Sequence, residues 1–144
     1  MDVIKINSNI VYCTGDIHGE FDLLEYTIRN YNITDSTLIV CGDCCFGFHS
    51  ASYYENHIRD LEKTCAKRNT FCFFLRGNHD DPNYFNGDLF KTGNVRTLRD
   101  YSVIQTYKIS DKEKMHPCNN ILCVGGAISI DRLLRKQHSV PLLQ

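Results

Sequence analysis

The sequence predicts an α/β fold built on a parallel sheet, and two observations lead to this class. The first is a set of short runs that are apolar at every position, which is typical of strands buried on both faces of a sheet. The second is the alternation of these runs with stretches whose apolar residues recur at helical spacing. The order strand, helix, strand, helix, strand implies right-handed crossovers and therefore parallel strands.

The predicted elements can be placed in order along the chain. Four apolar runs are predicted strands, at residues 10–13, 38–41, 71–75 and 121–124. Two helices are predicted between the first three runs, because apolar stripes are formed by Phe21, Leu24, Ile28 and Tyr31, and then by Tyr54, Ile58, Leu61 and Cys65. Residues 101–109 alternate well enough for a further strand, and Ser129 or Asp131 can begin a last helix.

The bulk composition favours one domain over residues 1–144, because a chain of 144 residues fits a single core. The net charge is −1, with no basic stripe, so there is no electrostatic case for a nucleic-acid or anionic-membrane partner. No run approaches membrane-spanning length, and the N-terminus does not resemble a signal peptide. We therefore expect a cytoplasmic protein with reduced cysteines.

Chemically active side chains follow the first three predicted strands. These are Gly15-Asp16-Ile17-His18-Gly19, then Gly42-Asp43, then Gly77-Asn78-His79-Asp80. Ligands of open α/β sheets bind at the carboxyl ends of the strands, where these segments would meet. Glycine permits positive φ and close backbone approach, which lets the following side chain turn inward.

The residue types in these segments suit a metal site. In an extended loop, Asp16 and His18 would project to the same side and share one ion. Asp43 has two oxygens with which to bridge two ions, and Asn78 offers an amide oxygen. Such a mixed nitrogen and oxygen set suits manganese, iron or zinc better than calcium. Two such ions about 3.5–4 Å apart would hold a phosphoryl group and activate water near neutral pH.

The segments GDIHG at 15–19, GD at 42–43 and GNHD at 77–80 resemble the first three signature blocks of the calcineurin-like metallophosphoesterase superfamily. GGAISIDR at 125–132 is similar to a further block of some members. The resemblance implies an α/β/β/α sandwich, a dinuclear metal site and hydrolysis of a phosphoester substrate, as a phosphatase or a phosphodiesterase. It also implies that Asp16 and His18 hold the first metal, that Asp43 bridges, and that Asn78 holds the second.

Three further residues, in the third block or next to it, are candidate catalytic residues. The resemblance places His79 near the leaving group, as a general acid or a stabiliser of the transition state. Asp80 is a candidate to orient His79. Arg76 is a candidate phosphate contact, because guanidinium binds phosphate in a fork, and Arg132 and Arg135 are weaker candidates.

The sequence also departs from the family pattern. It lacks the Asp-Arg-Gly that follows the second block in protein serine/threonine phosphatases, and its third block ends in Asp80 instead of glutamate. The family's later blocks supply further histidines, whereas here only His116 and His138 follow His79. We therefore expect a C-terminally truncated chain with the first half to two-thirds of the sandwich. The alternative function is an inactive or split half-domain, whose open sheet face is covered by a second chain or an oligomer.

The decapeptide CGDCCFGFHS at 41–50 concentrates three cysteines around Asp43. Cys41 and Cys44 have zinc-ligand spacing, but no second cysteine or histidine pair accompanies them. Core packing is the first interpretation for six cysteines, because free cysteine is among the most buried residue types. These six are Cys13, Cys41, Cys44, Cys65, Cys72 and Cys123. Because Cys44 and Cys45 adjoin Asp43, we hypothesise that one of them is sensitive to oxidation.

Overall fold

The fold was analysed in a computed structural model, which describes residues 1–8, 10–87, 90, 93–109 and 115–126. The described elements are strands β1 (Val3–Asn7) and β2 (Ile10–Thr14), helix α1 (Phe21–Asn30), strand β3 (Ser36–Cys41), helix α2 (Ala51–Lys67), strands β4 (Phe71–Leu75), β5 (Val95–Thr97), β6 (Ser102–Ile109) and β7 (Met115–Cys123), and a short 3-10 helix at Pro82–Phe85 before β5. The helix predicted after Ser129 or Asp131 lies outside the described residues.

The first sheet has four parallel strands in the order β2-β3-β4-β5, which confirms the predicted parallel arrangement. Strand β3 is buried along all but its last residue, as its continuous apolar run predicts. Strand β2 differs, because Ile10 and Tyr12 are 43% and 41% exposed. The expectation of burial on both faces is wrong for β2. Among the described strands, β2 lies at the edge of this sheet and has a paired strand on one side only.

The second sheet has three strands in the order β1-β6-β7. Strand β1 pairs with β6 in parallel, and β6 pairs with β7 antiparallel, with a register shift between Thr106 and Tyr107. The predicted strand at 101–109 is confirmed as β6. The fourth apolar run falls at the end of β7, where Leu122 and Val124 are exposed. Burial on both faces is therefore also wrong for this run, because β7 lies at the edge of the second sheet as far as the structure describes it.

Both predicted helices are present, and each buries the stripe that its spacing predicts. Helix α1 buries Phe21, Leu24 and Ile28, and its partner α2 buries Tyr54, Ile58, Leu61 and Cys65. Tyr31 is the exception, because it follows the last residue of α1 and is exposed. Among the described residues, no helix has the length and apolar content needed to cross a membrane.

The described elements form three layers with two hydrophobic cores. One core lies between the helices and the four-stranded sheet, where Ile28 and Leu61 meet Val40 and Phe74. The other core lies between the two sheets and joins residues from both, namely Ile6, Ile39, Phe73, Leu98, Ile104 and Cys123. Helices packed on one of two stacked sheets are the arrangement expected for part of an α/β/β/α sandwich.

The loop after β3 is anchored in the first core by Phe46, which is completely buried. Its ring centroid lies 5.4 Å from that of Phe74 and 5.6 Å from that of Phe21. The ring centroids of Phe46 and Tyr54 are 5.1 Å apart. Because Phe46 is three residues beyond Asp43, its burial fixes the path of the chain next to the predicted metal ligand.

The cysteines divide into buried and exposed groups. Cys44, Cys65, Cys72 and Cys123 are buried, as predicted, and all eight thiols are free. Burial is the largest cause that raises the pKa of Cys65 to about 12 and that of Cys123 to about 11. Core packing is wrong for Cys13 and Cys41, which are exposed, because one lies on an edge strand and the other ends its strand.

Phe46→Ala is expected to lower the free energy of unfolding by about 3–5 kcal/mol, because it leaves a cavity inside an aromatic cluster. Phe48→Ala is the matched control, since Phe48 lies two residues further along the same loop and is 56% exposed. The control should change the free energy by about 0.5 kcal/mol or less. Denaturant unfolding of both variants measures the difference, and equal losses would contradict the anchoring role of Phe46.

Candidate metal centre

The first two sequence blocks converge at the carboxyl ends of β2 and β3. One ligand atom each from Asp16, His18 and Asp43 lies within 4.8 Å of the other two. Asp16 and His18 are exposed, and Asp43 is half-buried. Two carboxylates and one imidazole at this spacing match the mixed oxygen and nitrogen set that divalent transition metals prefer. The three residues therefore fit a divalent metal ion.

The backbone of this site is left-handed, which differs from the extended loop that the sequence suggested. The φ angles are 51° at Asp16, 45° at His18 and 48° at Asp43. Left-handed backbone costs roughly 1–2 kcal/mol for each residue that carries a Cβ, although Asp and His tolerate it better than most. Asp16 and His18 do share a site, but the extended geometry predicted for them is wrong.

Hydrogen bonds between the two loops hold these strained residues in place. The amide of Asp16 donates to the carbonyl of Gly42 at 3.2 Å, and the amide of His18 donates to the carbonyl of Asp43 at 3.0 Å. Gly42 itself has a φ of 89°, as its predicted role in turning Asp43 inward requires. The loops after β2 and β3 therefore form one hydrogen-bonded unit.

The third block packs directly against Asp43. The amide of His79 donates to Oδ1 of Asp43 at 3.2 Å. A Cβ at Gly77 would collide with the amide nitrogen and the carboxylate of Asp43, so only glycine permits this approach. Asn78 and His79 are both half-buried beside this contact. Their roles as metal ligand and as catalytic residue stay predictions.

Asp80 is buried, and its carboxylate accepts three backbone hydrogen bonds. The donors are the amides of Gly77 at 2.8 Å, Cys44 at 3.1 Å and Phe46 at 3.0 Å. The carboxylate therefore connects the loop after β3 to the loop after β4. The sequence indicated a residue that orients His79, and this connection between two loops was not foreseen.

Arg76 lies at the junction between the two sheets. Its Nη2 donates to Oδ2 of Asp100 at 2.8 Å, and its carbonyl accepts from the amide of Gly126 at 2.6 Å. Oδ1 of Asp100 accepts in turn from the amide of Gly125 at 3.1 Å. The phosphate contact predicted for Arg76 stays a prediction. Asp100 carried no motif signal, whereas the Gly-Gly pair at 125–126 did stand out in the sequence.

Tyr54 supports the loop that carries Cys45, although its place in a helical stripe indicated only a core residue. Its hydroxyl donates to the carbonyl of Cys45 at 2.6 Å. The same oxygen accepts from the amides of Phe48 and His49, both at 2.9 Å. A buried ring with a polar end thus fixes the loop at residues 45–49 beside the candidate metal ligands.

Some predicted residues do not join this centre. Cys44 is buried and donates to the carbonyl of Leu75 at 3.7 Å, and burial is the largest cause that raises its thiol pKa. His116 is exposed on β7. Arg132, Arg135 and His138 lie outside the described residues.

Comparison with family models identifies the class of protein. The calcineurin-like phosphoesterase model matches residues 10–143, so the chain belongs to this family. The match includes all three segments that form the centre. Searches of curated proteins and of solved structures gave no significant match.

Asp80→Ala is expected to lower the free energy of unfolding by about 2–4 kcal/mol, because it leaves three backbone amides without their acceptor. Asp80→Asn should lower the free energy of unfolding by a smaller amount, since one acceptor oxygen remains. Asp60→Ala is the control, because Asp60 lies exposed on α2 and accepts from Lys63 alone among the described contacts. Denaturant titration measures all three variants. Wild-type stability of Asp80→Ala would contradict the connecting role of this carboxylate.

Proposed function

We propose that the chain hydrolyses phosphoesters with the help of divalent metal ions held at Asp16, His18 and Asp43. The observation that carries this proposal is the convergence of one imidazole and two carboxylates within 4.8 Å at the carboxyl ends of two adjacent parallel strands. Membership of the calcineurin-like phosphoesterase family supports the reaction class. The proposed ions are manganese, iron or zinc, which suit this donor set.

In this proposal, the metal ions supply the Lewis acid and the protein side chains bind and position them. A divalent metal bound at the centre supplies Lewis-acid polarisation of a phosphoryl oxygen and a more acidic water. In this proposal, Asp43 would hold both ions and Asn78 would hold the second through its amide oxygen. The close approach of Gly77 to Asp43 supports this assignment, because it brings the Asn78 backbone beside the bridging carboxylate.

His79 is the proposed proton donor to the leaving group. In hydrolysis, a water oxygen forms a bond to phosphorus and gives up a proton to the solvent, while the bond from phosphorus to the leaving oxygen breaks. The leaving oxygen takes up a proton, which a histidine beside it can donate. Arg76 is the proposed phosphate contact, because its guanidinium has N–H donors besides those of Nη2, which donates to Asp100. Both phosphate monoesters and diesters are compatible with these roles.

An inactive or split half-domain is the second candidate function. Two observations favour it: the one metal group found among the described residues contains a single histidine, and the outer edge of β2 has no partner strand in the described sheet. If the chain is a split half-domain, a second chain supplies the remaining histidines and covers the edge of β2. That chain would add a strand beside Ile10 and Tyr12, whose side chains are partly exposed.

The number of ions that the isolated chain binds distinguishes these two functions. The complete enzyme is expected to hold two manganese or zinc ions per chain, whereas the half-domain holds one or none. Elemental analysis after gel filtration in metal-free buffer gives this number directly. Two retained ions would rule out the half-domain, and one ion or none would rule out a complete site in the isolated chain.

Asp43→Ala is expected to reduce hydrolysis of an aryl phosphate, with manganese added, by about 100-fold or more. Mutation of a residue that only supports a metal ligand typically reduces activity by about 10–100-fold. Removal of a ligand itself should therefore have a larger effect. Asp60→Ala should retain wild-type activity, because Asp60 lies on α2, outside the metal group. The measurement is the rate at which the phenol is released from the aryl phosphate. Undiminished hydrolysis by Asp43→Ala would disprove the proposed function.

A further inference from the structure

Cys45 lies beside a proposed metal ligand and has no role in the function proposed so far. Its Sγ is 3.9 Å from Nδ1 of His18, within hydrogen-bonding distance for sulfur. Cys45 is half-buried, unlike the neighbouring Cys44, which is fully enclosed. The Cβ of Cys45 would lie 3.8 Å from a Cβ built at Gly19, so the thiol occupies the space on one side of the loop that carries His18.

The backbone at Cys45 is held in a conformation that cysteine rarely adopts. Its φ is 69°, so Cys45 shares left-handed backbone with Asp16, His18 and Asp43. Strained residues persist where the surrounding contacts over-determine them, and they cluster at functional sites. The hydroxyl of Tyr54 holds the Cys45 carbonyl, and the carboxylate of Asp80 holds the amides on either side. The position of this thiol is therefore fixed by two buried residues.

A neutral imidazole has one nitrogen that donates a hydrogen bond and one that can bind a metal. The hydrogen bond made by one nitrogen decides which of the two is left for the metal. Metal-binding histidines usually donate their second N–H to a fixed acceptor, which sets the ring orientation. The sulfur of Cys45 is the group that the structure places next to His18 Nδ1.

We propose that Cys45 is a positioning residue: its sulfur accepts the Nδ1–H of His18 and leaves Nε2 to bind the metal. This inference rests on the proposed metal centre and adds a residue to it. Direct coordination by sulfur is not favoured by the geometry, because Cys45 is not part of the metal group found among the described residues. Sulfur is a weak acceptor, so the expected effect is about tenfold in metal affinity, at the low end for such residues.

The test compares two substitutions at this position. Cys45→Ala removes the acceptor, and its dissociation constant for Mn²⁺ should rise about tenfold. Cys45→Asn restores an acceptor and suits left-handed backbone, so its Mn²⁺ affinity should return toward the wild-type value. Cys118→Ala is the matched control, because Cys118 is exposed on β7 and outside the metal group. Isothermal titration calorimetry measures the affinities.

A second readout separates positioning from general stability. Nitrogen-15 NMR of the metal-free wild type should show His18 protonated at Nδ1, and Cys45→Ala should shift the population toward the other tautomer. Wild-type Mn²⁺ affinity in Cys45→Ala would overturn the inference while leaving the proposed function intact. A sulfur-to-cobalt charge-transfer band that disappears in Cys45→Ala would also overturn it, because Cys45 would then be a ligand. Absence of metal binding by the wild type would overturn the proposed function as well.

Discussion

The geometry of the candidate metal centre depends on one buried carboxylate, that of Asp80. A buried charge is costly unless hydrogen bonds satisfy it, and here three backbone amides do so. These amides belong to two loops that are separate in sequence, one after β3 and the other after β4. Folding therefore brings the two loops together around Asp80, and Asp43 is held between them.

Contacts between loops also maintain the left-handed backbone of the candidate ligands. Asp16, His18 and Asp43 have left-handed φ angles that would be unfavourable in an isolated loop. They persist because hydrogen bonds join the first two loops and because Phe46 anchors the second loop in the core. Core packing and ligand placement are thus coupled, so a substitution that loosens the aromatic cluster also changes the metal centre.

The elements that could be predicted from the sequence are those whose pattern of apolar residues lies within one short segment. The runs that became β3 and β4 and the stripes of α1 and α2 each define a buried face over a few consecutive residues. The clustering of Asp16, His18 and Asp43 could also be predicted, since glycine and metal-binding residue types follow the strands directly. The exposure of Cys13 and Cys41 was not predictable, because it depends on which strand lies at the sheet edge. The contacts of Asp100 and Tyr54 were missed for a similar reason, since they join segments far apart in the chain.

The proposed convergence of three loops on one metal can be tested directly by paramagnetic broadening. Mn²⁺ added to nitrogen-15-labelled protein should first broaden the amide signals of residues 16–19, 42–45 and 77–80. Signals from the opposite ends of α1 and α2, near Asn30 and Lys67, should stay sharp because broadening falls steeply with distance. Broadening of all three segments at one Mn²⁺ per chain is the result that we predict. Broadening confined to other segments, or none at all, would contradict the metal centre on which the proposed function rests.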